Sequence, residues 1–314
     1  MRFLIVGAGA TGGYFGGRLL ESGRDVTFLV RPARAERLAA TGLAITSRSG
    51  DVTLPAPPTV LAANLRTHFD VVILSCKAYD LDSVIDSIAP AVGPNTTIIP
   101  ILNGMRHLDA LDARFGPERV LGGSCFISAR LDDAGRIAHL SDVHRIVFGE
   151  RPRGRSDRTD AIAAAMSGAK LDAVASDQII LEMWEKWTFL ATLAGMTCLT
   201  RASVGDIVAA GGVDLALAFL EECRSVAAAA GYAPRADSLQ AGIARLTDPK
   251  SAVTASMLGD VERRGKTEAD HILGDLLQRR GGSANGDRSL LRLAYTAVKA
   301  AEVRVARESE AKNS

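Results

Sequence analysis

Three glycines near the start of the chain have a spacing that suits phosphate binding. Residues 7–12 read G-x-G-x-x-G, directly after the apolar run 3–6 and at the start of a predicted helix over 10–22. In this context the glycines allow a tight turn, a close backbone approach to a pyrophosphate, and packing of the helix on the strand. The pyrophosphate then lies against the amides at the helix N-terminus. The residues expected in this cofactor site are Gly7, Gly9, Ala10, Thr11 and Gly12.

The residue after the second predicted strand selects the nucleotide. NAD sites usually place Asp or Glu there, about 20 residues after the glycines, to bind the ribose hydroxyls. Here the strand over 25–30 is followed by Arg31, whereas Asp25 begins the strand and is therefore not that acid. A guanidinium can bind a 2′-phosphate that a carboxylate would repel, and Lys77, which follows a later strand, can add a second positive charge. The sequence therefore predicts NADPH/NADP+ as the cofactor.

A lysine between two tryptophans is the second candidate for chemistry. It lies in a predicted helix over 177–199, where Trp184, Trp187 and Leu190 share one face and Lys186 is displaced from it. Taken alone, this pattern is most often a surface lysine whose stem packs on apolar neighbours. The residues by themselves therefore favour a packed surface lysine and leave a chemical role open.

Two domains are expected to position these groups, because 314 residues is about twice the usual domain size. In the first part of the chain, apolar strands alternate with helices, which predicts a Rossmann-type doubly wound parallel sheet. Segments 120–131, 136–140 and 144–149 then predict an antiparallel meander appended to that sheet. From about residue 176 nearly all segments have helical periodicity. We expect an α/β fold with an NADP-binding domain over 1–176 and an all-α substrate and catalytic domain over 177–314.

The composition argues against several other classes of protein. The 37 basic and 36 acidic residues give a net charge of +1, which disfavours a broad surface for nucleic acid or anionic membranes. The four cysteines and five histidines show no metal-ligand spacing, so we expect reduced thiols and no metal. Apolar segments are too short for a signal peptide or a membrane span. We expect a soluble, cytoplasmic protein whose apolar C-terminal helices fit a homodimer or a monomer's own core equally well.

Six motifs in a consistent order point to one enzyme family. They are Gly7-x-Gly9-x-x-Gly12, Val30-Arg31, Ser75-Cys76-Lys77-Ala78, Asn103-Gly104-Met105, Trp184-Glu-Lys186, and Ser256-Met-x-x-Asp260 with Gly265-Lys-Thr-Glu268 behind it. With these motifs the chain resembles the ketopantoate reductase (2-dehydropantoate 2-reductase) family over nearly its whole length. The order of six separate matches is far more specific than any single one.

The resemblance implies NADPH-dependent reduction of a 2-oxo acid to a 2-hydroxy acid, with ketopantoate as the first candidate substrate. Lys186 would be the general acid, which agrees with the chemistry, because hydride addition leaves negative charge on the carbonyl oxygen. Asn103 would orient that lysine and lie beside the nicotinamide. Glu268 would bind a substrate hydroxyl and help to position the acid, and Ser256 would bind the substrate's carboxylate or hydroxyl.

The sequence also departs from the family pattern. The family commonly has asparagines one and two turns after the catalytic lysine, where this chain has Leu190 and Ala194. The stretch 281–285 also lacks the family's proline. The two apolar residues favour a drier pocket, so a related and more apolar 2-oxo acid is an alternative substrate.

Two further alternatives remain open. One is a dehydrogenase of 3-hydroxy acids or sugar acids, which Arg31 with Lys77 fits less well. The other is a non-catalytic NADPH-binding sensor, which would have no need of the proton donor Lys186.

Overall fold

The computed structural model describes residues 1–281 and 289–313, with side chains through residue 311. The contacts between residues group the chain into two compact units. The first unit comprises Met1–Leu102 and His107–Ile179, and the second comprises Asn103–Arg106 and the chain from Ile180 onward. A four-residue segment inside the first half of the sequence thus packs with the second unit.

Five parallel strands form the first sheet of unit one. They are β1 (Arg2–Val6), β2 (Asp25–Leu29), β5 (Thr59–Val60), β6 (Val71–Leu74) and β7 (Thr97–Pro100). Their order is β5-β2-β1-β6-β7. The chain therefore places the next strands, β2 and β5, on one side of β1 and the later strands, β6 and β7, on its other side. The carboxyl ends of β1, β2 and β6 meet at this switch point, where open α/β sheets bind their ligands.

Helices and short turns connect these strands. The helices are α1 (Ala10–Glu21), α2 (Pro32–Thr41), α3 (Leu81–Ile88) and α4 (Arg106–Phe115), and short 3₁₀ turns cover Ala62–Asn64, Ala78–Asp80, Ala89–Ala91 and Pro117–Arg119. The inner strands β1, β2, β6 and the edge strand β7 are largely buried runs of apolar residues, as expected for strands covered on both faces, whereas the short edge strand β5 is partly exposed. The predicted Rossmann-type parallel sheet is confirmed.

A second sheet of unit one is mixed. Its elements are β3 (Leu43–Thr46), β4 (Val52–Leu54), β8 (Gly122–Leu131), β9 (Ile137–Gly149) and β10 (Asp172–Ala175), with helix α5 (Asp157–Met166) before β10. Strands β3 and β10 run parallel to β9, whereas β8 is antiparallel to β9 and β4 to β3.

The predicted meander of three strands therefore needs correction. Segments 136–140 and 144–149 belong to one continuous strand, β9, which forms a hairpin with β8. The intervening residues 141–143 interrupt the strand pattern in the sequence, and in the structure they lie where the register with β8 shifts, between the pairs Ala129–His139 and Ile127–His144. Strand β9 is continuous because the residues on both sides of this irregularity pair with β8. Strands β3, β4, β5 and β10 are only two to four residues long, and β3, β5 and β10 also pair with strands far away in the sequence, so local periodicity did not reveal them.

Unit two is helical, and the predicted all-α second part is confirmed. The helices are α6 (Ile179–Thr200), α7 (Val204–Ala209), α8 (Val213–Ala229), α9 (Ala236–Leu246), α10 (Ser256–Glu262), α11 (Asp275–Arg280) and α12 (Leu290–Asn313). A π-helical turn, Asp270–Gly274, leads directly into α11. None of the helices in the described ranges has both the length and the hydropathy that a membrane crossing requires.

A polar cluster lies inside unit one, between α1 and β9. The Tyr14 hydroxyl is 2.6 Å from Nδ1 of His144, and the His144 ring stacks on that of His139. The fully buried guanidinium of Arg18 lies over the Tyr14 ring. Burial, the neighbouring His139 and Arg18 lower the pKa of His144 below its usual 6.5, while Asp172 opposes the shift. The folded protein therefore disfavours protonation of His144.

This cluster predicts that acid destabilises the protein near the ordinary pKa of histidine. Because His144 has a lower pKa when folded than when unfolded, its contribution to stability is present above pH 6.5 and is lost as the pH falls below that value. We expect the melting temperature to fall between about pH 7.5 and about pH 5.5, and to fall less in His144→Asn. The exposed His68→Asn variant is the control, and an unchanged pH profile in His144→Asn would contradict the prediction.

Candidate active site

The glycine loop lies at the switch point of the parallel sheet, between β1 and α1. A methyl group added at Gly12 would lie 2.1 Å from the Ser75 Oγ and 2.3 Å from the Gly7 carbonyl oxygen. Only glycine allows this contact between α1 and the end of β6. At Gly9, by contrast, an added methyl group would meet no atom within 4 Å.

Hydrogen bonds from neighbouring strands hold the loop in place. The Gly7 amide donates to the Leu29 carbonyl at the end of β2 (2.9 Å), and the Ser75 hydroxyl donates to the Val6 carbonyl at the end of β1 (2.8 Å). Gly9 is the N-cap of α1 and offers no capping side chain, and Ala10 and Thr11 begin the helix. The first amides of a helix have no acceptor within it, which makes this end suitable for an anion. The open face at Gly9 and these amides fit the pyrophosphate of a dinucleotide.

Arg31, one of the two cations predicted to bind the nucleotide, contacts the turn that follows the other, Lys77. Arg31 is the N-cap of α2, and its side chain is 75% exposed. Its guanidinium pairs with Asp80 at 2.9 Å, and the Asp80 amide donates to the Lys77 carbonyl (2.9 Å). Arg31 thus contacts the turn that carries Lys77. Asp25, at the opposite end of β2, lies 3.8 Å from Arg2.

Asp80 is a residue that the sequence analysis missed. Its carboxylate meets the guanidinium that we expect to receive the 2′-phosphate. The sequence signal was its position three residues after Lys77, in the loop following β6. Only the fold shows that this loop faces the start of α2.

In unit two, α6 fixes Lys186 between two buried tryptophans. Trp184 and Trp187 are 2% and 1% exposed, with ring centroids 5.0 Å apart, whereas Lys186 is half-buried. The adjoining Glu185 is buried and accepts three hydrogen bonds of 2.6–2.8 Å from Arg235 at the start of α9. The helix is thereby held against rotation and keeps the lysine at the edge of the buried face.

An indole hydrogen bond connects this part of α6 to the segment containing Glu268. Trp187 Nε1 donates to the Ile272 carbonyl in the π-helical turn at 2.9 Å, and the Ile272 amide donates to the Glu268 carbonyl at 2.9 Å. Glu268 is 8% exposed. Lys186 and Glu268 therefore flank one buried junction between α6 and the π-helical turn.

Helix α12 holds the segment on both sides of Glu268. Glu302 accepts from the Thr267 hydroxyl (2.6 Å) and amide (3.2 Å). Lys299 pairs with Asp270 at 2.9 Å, and its pKa is raised, since hydrogen bonds to Glu302 and Asp270 outweigh the opposing effect of burial. Glu268 thus lies between two anchored residues.

Asn103, in the short segment Asn103–Arg106 of unit two, lies close to the π-helical turn that packs against α6. Gly104 has φ +75°, and an added methyl group there would lie 2.9 Å from the His271 carbonyl oxygen. Burial lowers the pKa of His271, while the nearby carboxylates of Glu268 and Asp275 and a hydrogen bond to the Asn103 backbone oppose the shift. His271 thus lies next to both Asn103 and Glu268. In the sequence, His271 is one of five histidines without metal-ligand spacing, and no local pattern distinguishes it from the other four.

Ser256 lies in unit two, at the start of α10. It is exposed at the first position of α10, whose N-cap Ala255 donates its amide to the Thr197 hydroxyl (3.4 Å). Thr197 lies three turns after Lys186 on nearly the same face of α6, about 16 Å along the helix axis. The start of α10 therefore packs on the face of α6 that bears the lysine, but further along it.

The two apolar departures from the family pattern differ in environment. Leu190 is half-buried, whereas Ala194 has no exposed surface and is part of the helical packing. In the other departing stretch, 281–285, all residues except Gly281 lie outside the described part of the chain.

Comparison with known proteins agrees with this architecture. The family model described as ketopantoate reductase PanE/ApbA matches residues 3–153, and the model of its C-terminal part matches residues 178–302. The chain is 41% identical to the "Uncharacterized oxidoreductase YkpB" of Bacillus subtilis, over 89% of this chain and 92% of that protein. A crystal structure named 2-dehydropantoate 2-reductase from Geobacter metallireducens superposes with a TM-score of 0.86 at 28% identity, covering 96% of this chain and all of the other.

A third comparison shows the fold only. D-mandelate dehydrogenase in complex with NADH and anilino(oxo)acetate has a TM-score of 0.86 at 22% identity, covering 97% of this chain and 99% of the other. The two family models together cover most of the chain and include both the glycine loop and Lys186. The protein therefore belongs to the ketopantoate reductase PanE/ApbA family, a family of oxidoreductases that act on CH–OH groups and reduce 2-oxo acids with a nicotinamide cofactor.

Proposed function

We propose that this protein reduces 2-dehydropantoate to pantoate with NADPH, and that Lys186 is the general acid. A relative from Mesorhizobium japonicum named 2-dehydropantoate 2-reductase supports the substrate, at 29% identity over 87% of this chain and 89% of that protein. The observation that carries the proposal is the junction at Trp187, which holds α6 beside Lys186 against the turn that follows the buried Glu268.

Residues of unit two carry out the separate steps of the proposed carbonyl reduction. A reduced nicotinamide supplies the hydride when it is bound. Lys186 stabilises the negative charge that develops on the carbonyl oxygen and then protonates it. Glu268 binds a substrate hydroxyl and positions the acid, Asn103 orients the lysine at the nicotinamide, and Ser256 binds the substrate's carboxylate or hydroxyl.

The cofactor proposal depends on residues of unit one. Gly7, Gly9, Ala10, Thr11 and Gly12 hold the pyrophosphate, while Arg31 and Lys77 bind the 2′-phosphate of NADPH. We further propose that residues 1–176 form the NADP-binding domain, that residues 177–314 form the substrate and catalytic domain, and that the protein works in the cytoplasm. All four cysteines are free thiols, which agrees with a reducing compartment.

Leu190 supports a second candidate substrate. It occupies a position where the family commonly has an asparagine, and its side chain is half-buried. An apolar group there favours a related 2-oxo acid with a more apolar side chain. The two candidates share the cofactor, the general acid and the reaction.

The direct test is oxidation of NADPH by the purified protein with 2-dehydropantoate, run beside NADH and a panel of branched 2-oxo acids. The fastest turnover is expected with 2-dehydropantoate and NADPH. Turnover only with another 2-oxo acid would overturn the proposed substrate and leave the proposed reaction in place. Tight NADPH binding without any turnover would contradict the proposed reaction.

Replacing Lys186 tests the general acid. In Lys186→Met the stem remains but the proton donor is lost, so kcat should fall by about 10²- to 10⁴-fold. The affinity for NADPH, measured by fluorescence titration, should stay unchanged. Lys250→Met, at an exposed site in the same unit, is the control. An unchanged kcat in Lys186→Met would refute the assigned role.

Replacing Arg31 tests the cofactor preference. Arg31→Ala removes a charged donor to the 2′-phosphate, so NADPH should bind about tenfold more weakly. NADH lacks that phosphate, and its dissociation constant should barely change. Equal weakening of both cofactors would show that Arg31 does not recognise the 2′-phosphate.

Asp80 should oppose the same phosphate. Asp80→Asn removes the negative charge beside Arg31 and frees the guanidinium, so NADPH binding should strengthen about two- to fivefold, the range expected of an ion pair that water partly screens. The ratio of NADPH to NADH affinity is the measurement. Weaker NADPH binding in Asp80→Asn would mean that Asp80 holds Arg31 in its binding position instead.

A further inference from the structure

We propose that Arg34 is a positioning residue that sets the orientation of the dinucleotide-binding loop. Its Nε donates to the Ala8 carbonyl inside the glycine loop at 2.9 Å, and its Nη1 donates to the Gly135 carbonyl at 3.1 Å. The proposal rests on cofactor binding at the glycine loop, and it does not depend on the choice between NADPH and NADH.

The Ala8 carbonyl determines where the next amide points. A peptide group is planar and trans, so the Ala8 carbonyl and the Gly9 N–H point in opposite directions. By holding the carbonyl, Arg34 directs the Gly9 N–H away from α2. Gly9 is exposed, and no atom lies within 4 Å of the place where its side chain would begin. This is the open face of the loop, where the pyrophosphate is expected.

The guanidinium also brings positive charge to the loop. Arg34 is half-buried, and its Nη2 is buried without a hydrogen-bond acceptor among the described residues. The two acceptors of its other donors are neutral carbonyls. Burial, together with nearby Arg37, lowers the pKa of Arg34 below its usual range, although an arginine remains charged at neutral pH. Its charge favours an anion on the loop, and the pyrophosphate is common to both cofactors.

The second bond of Arg34 extends the support to the β8–β9 hairpin. Gly135 lies in the turn of that hairpin, and the neighbouring Arg37 donates to the Asp133 carbonyl in the same turn at 3.2 Å. Arg34 therefore fixes the glycine loop to α2 and to a hairpin more than 100 residues later in the chain. Arg37 donates a hydrogen bond to the hairpin, and among the described residues no hydrogen bond links it to the glycine loop, which makes it a matched control.

The experiment compares Arg34→Ala, Arg34→Lys and Arg37→Ala by fluorescence titration with NADPH and NADH. In Arg34→Ala a smaller fraction of loops has the binding orientation, so both cofactors should bind about tenfold more weakly and by the same factor. In Arg34→Lys, the ammonium can reach the Ala8 carbonyl but cannot span both acceptors, so an intermediate loss is expected. Arg37→Ala should bind both cofactors as the wild type does.

Equal weakening of NADPH and NADH binding distinguishes the positioning role of Arg34 from direct contact with the 2′-phosphate and from a purely structural role. A loss confined to NADPH would mean that Arg34 contacts the 2′-phosphate and would overturn the proposal. A lower melting temperature with unchanged dissociation constants would show a structural role only and would also overturn it. With any substrate that turns over, Arg34→Lys should raise the KM for the cofactor and leave kcat at saturation unchanged. Because binding is measured without a 2-oxo acid, failure of the proposed substrate would not affect this result.

Discussion

The candidate catalytic region is organised by one buried hydrogen bond. A buried indole N–H needs an acceptor, and for Trp187 that acceptor is the Ile272 carbonyl in the π-helical turn. The bond fixes the register between α6 and the chain after Glu268. Around it, Glu185 binds Arg235 and Glu302 binds Thr267, so the elements on both sides are also held. These bonds keep the backbone around Lys186 and the backbone around Glu268 in a fixed relation.

The two units meet different electrostatic requirements. In unit one, Arg31 and Asp80 are exposed enough for water to screen them, so their pairing is weak and an incoming phosphate can replace it. In unit two, Glu185 and Glu268 are buried, and a buried carboxylate is tolerated only with partners that offset its lost hydration. Exchangeable charges thus belong to the proposed cofactor site, and fixed charges belong to the proposed acid–base site.

Much of the fold could be predicted because its signals are local. The apolar strands β1, β2, β6 and β7 and the helices α1, α3 and α6 follow from short runs and from helical periodicity. The prediction wrongly divides the single strand β9 in two because residues 141–143 interrupt its pattern, whereas pairing with β8 on both sides of this irregular segment keeps the strand continuous. Strand β3 pairs with a part of β9 about 90 residues later in the chain, and β10 pairs with a part of β9 more than 25 residues earlier. Local sequence patterns therefore do not predict these two strands.

The sequence by itself determined the glycine loop, the basic residue after β2 and the lysine between two tryptophans, because the spacing within one turn, strand or helix encodes each of them. Tertiary structure alone decided that Asp80 pairs with Arg31, that Arg34 holds the Ala8 carbonyl, and that His271 packs against Asn103 and Gly104. These contacts join residues that are tens to more than a hundred positions apart. Their geometry depends on how whole elements pack, and that packing is set by the burial of side chains spread along the chain.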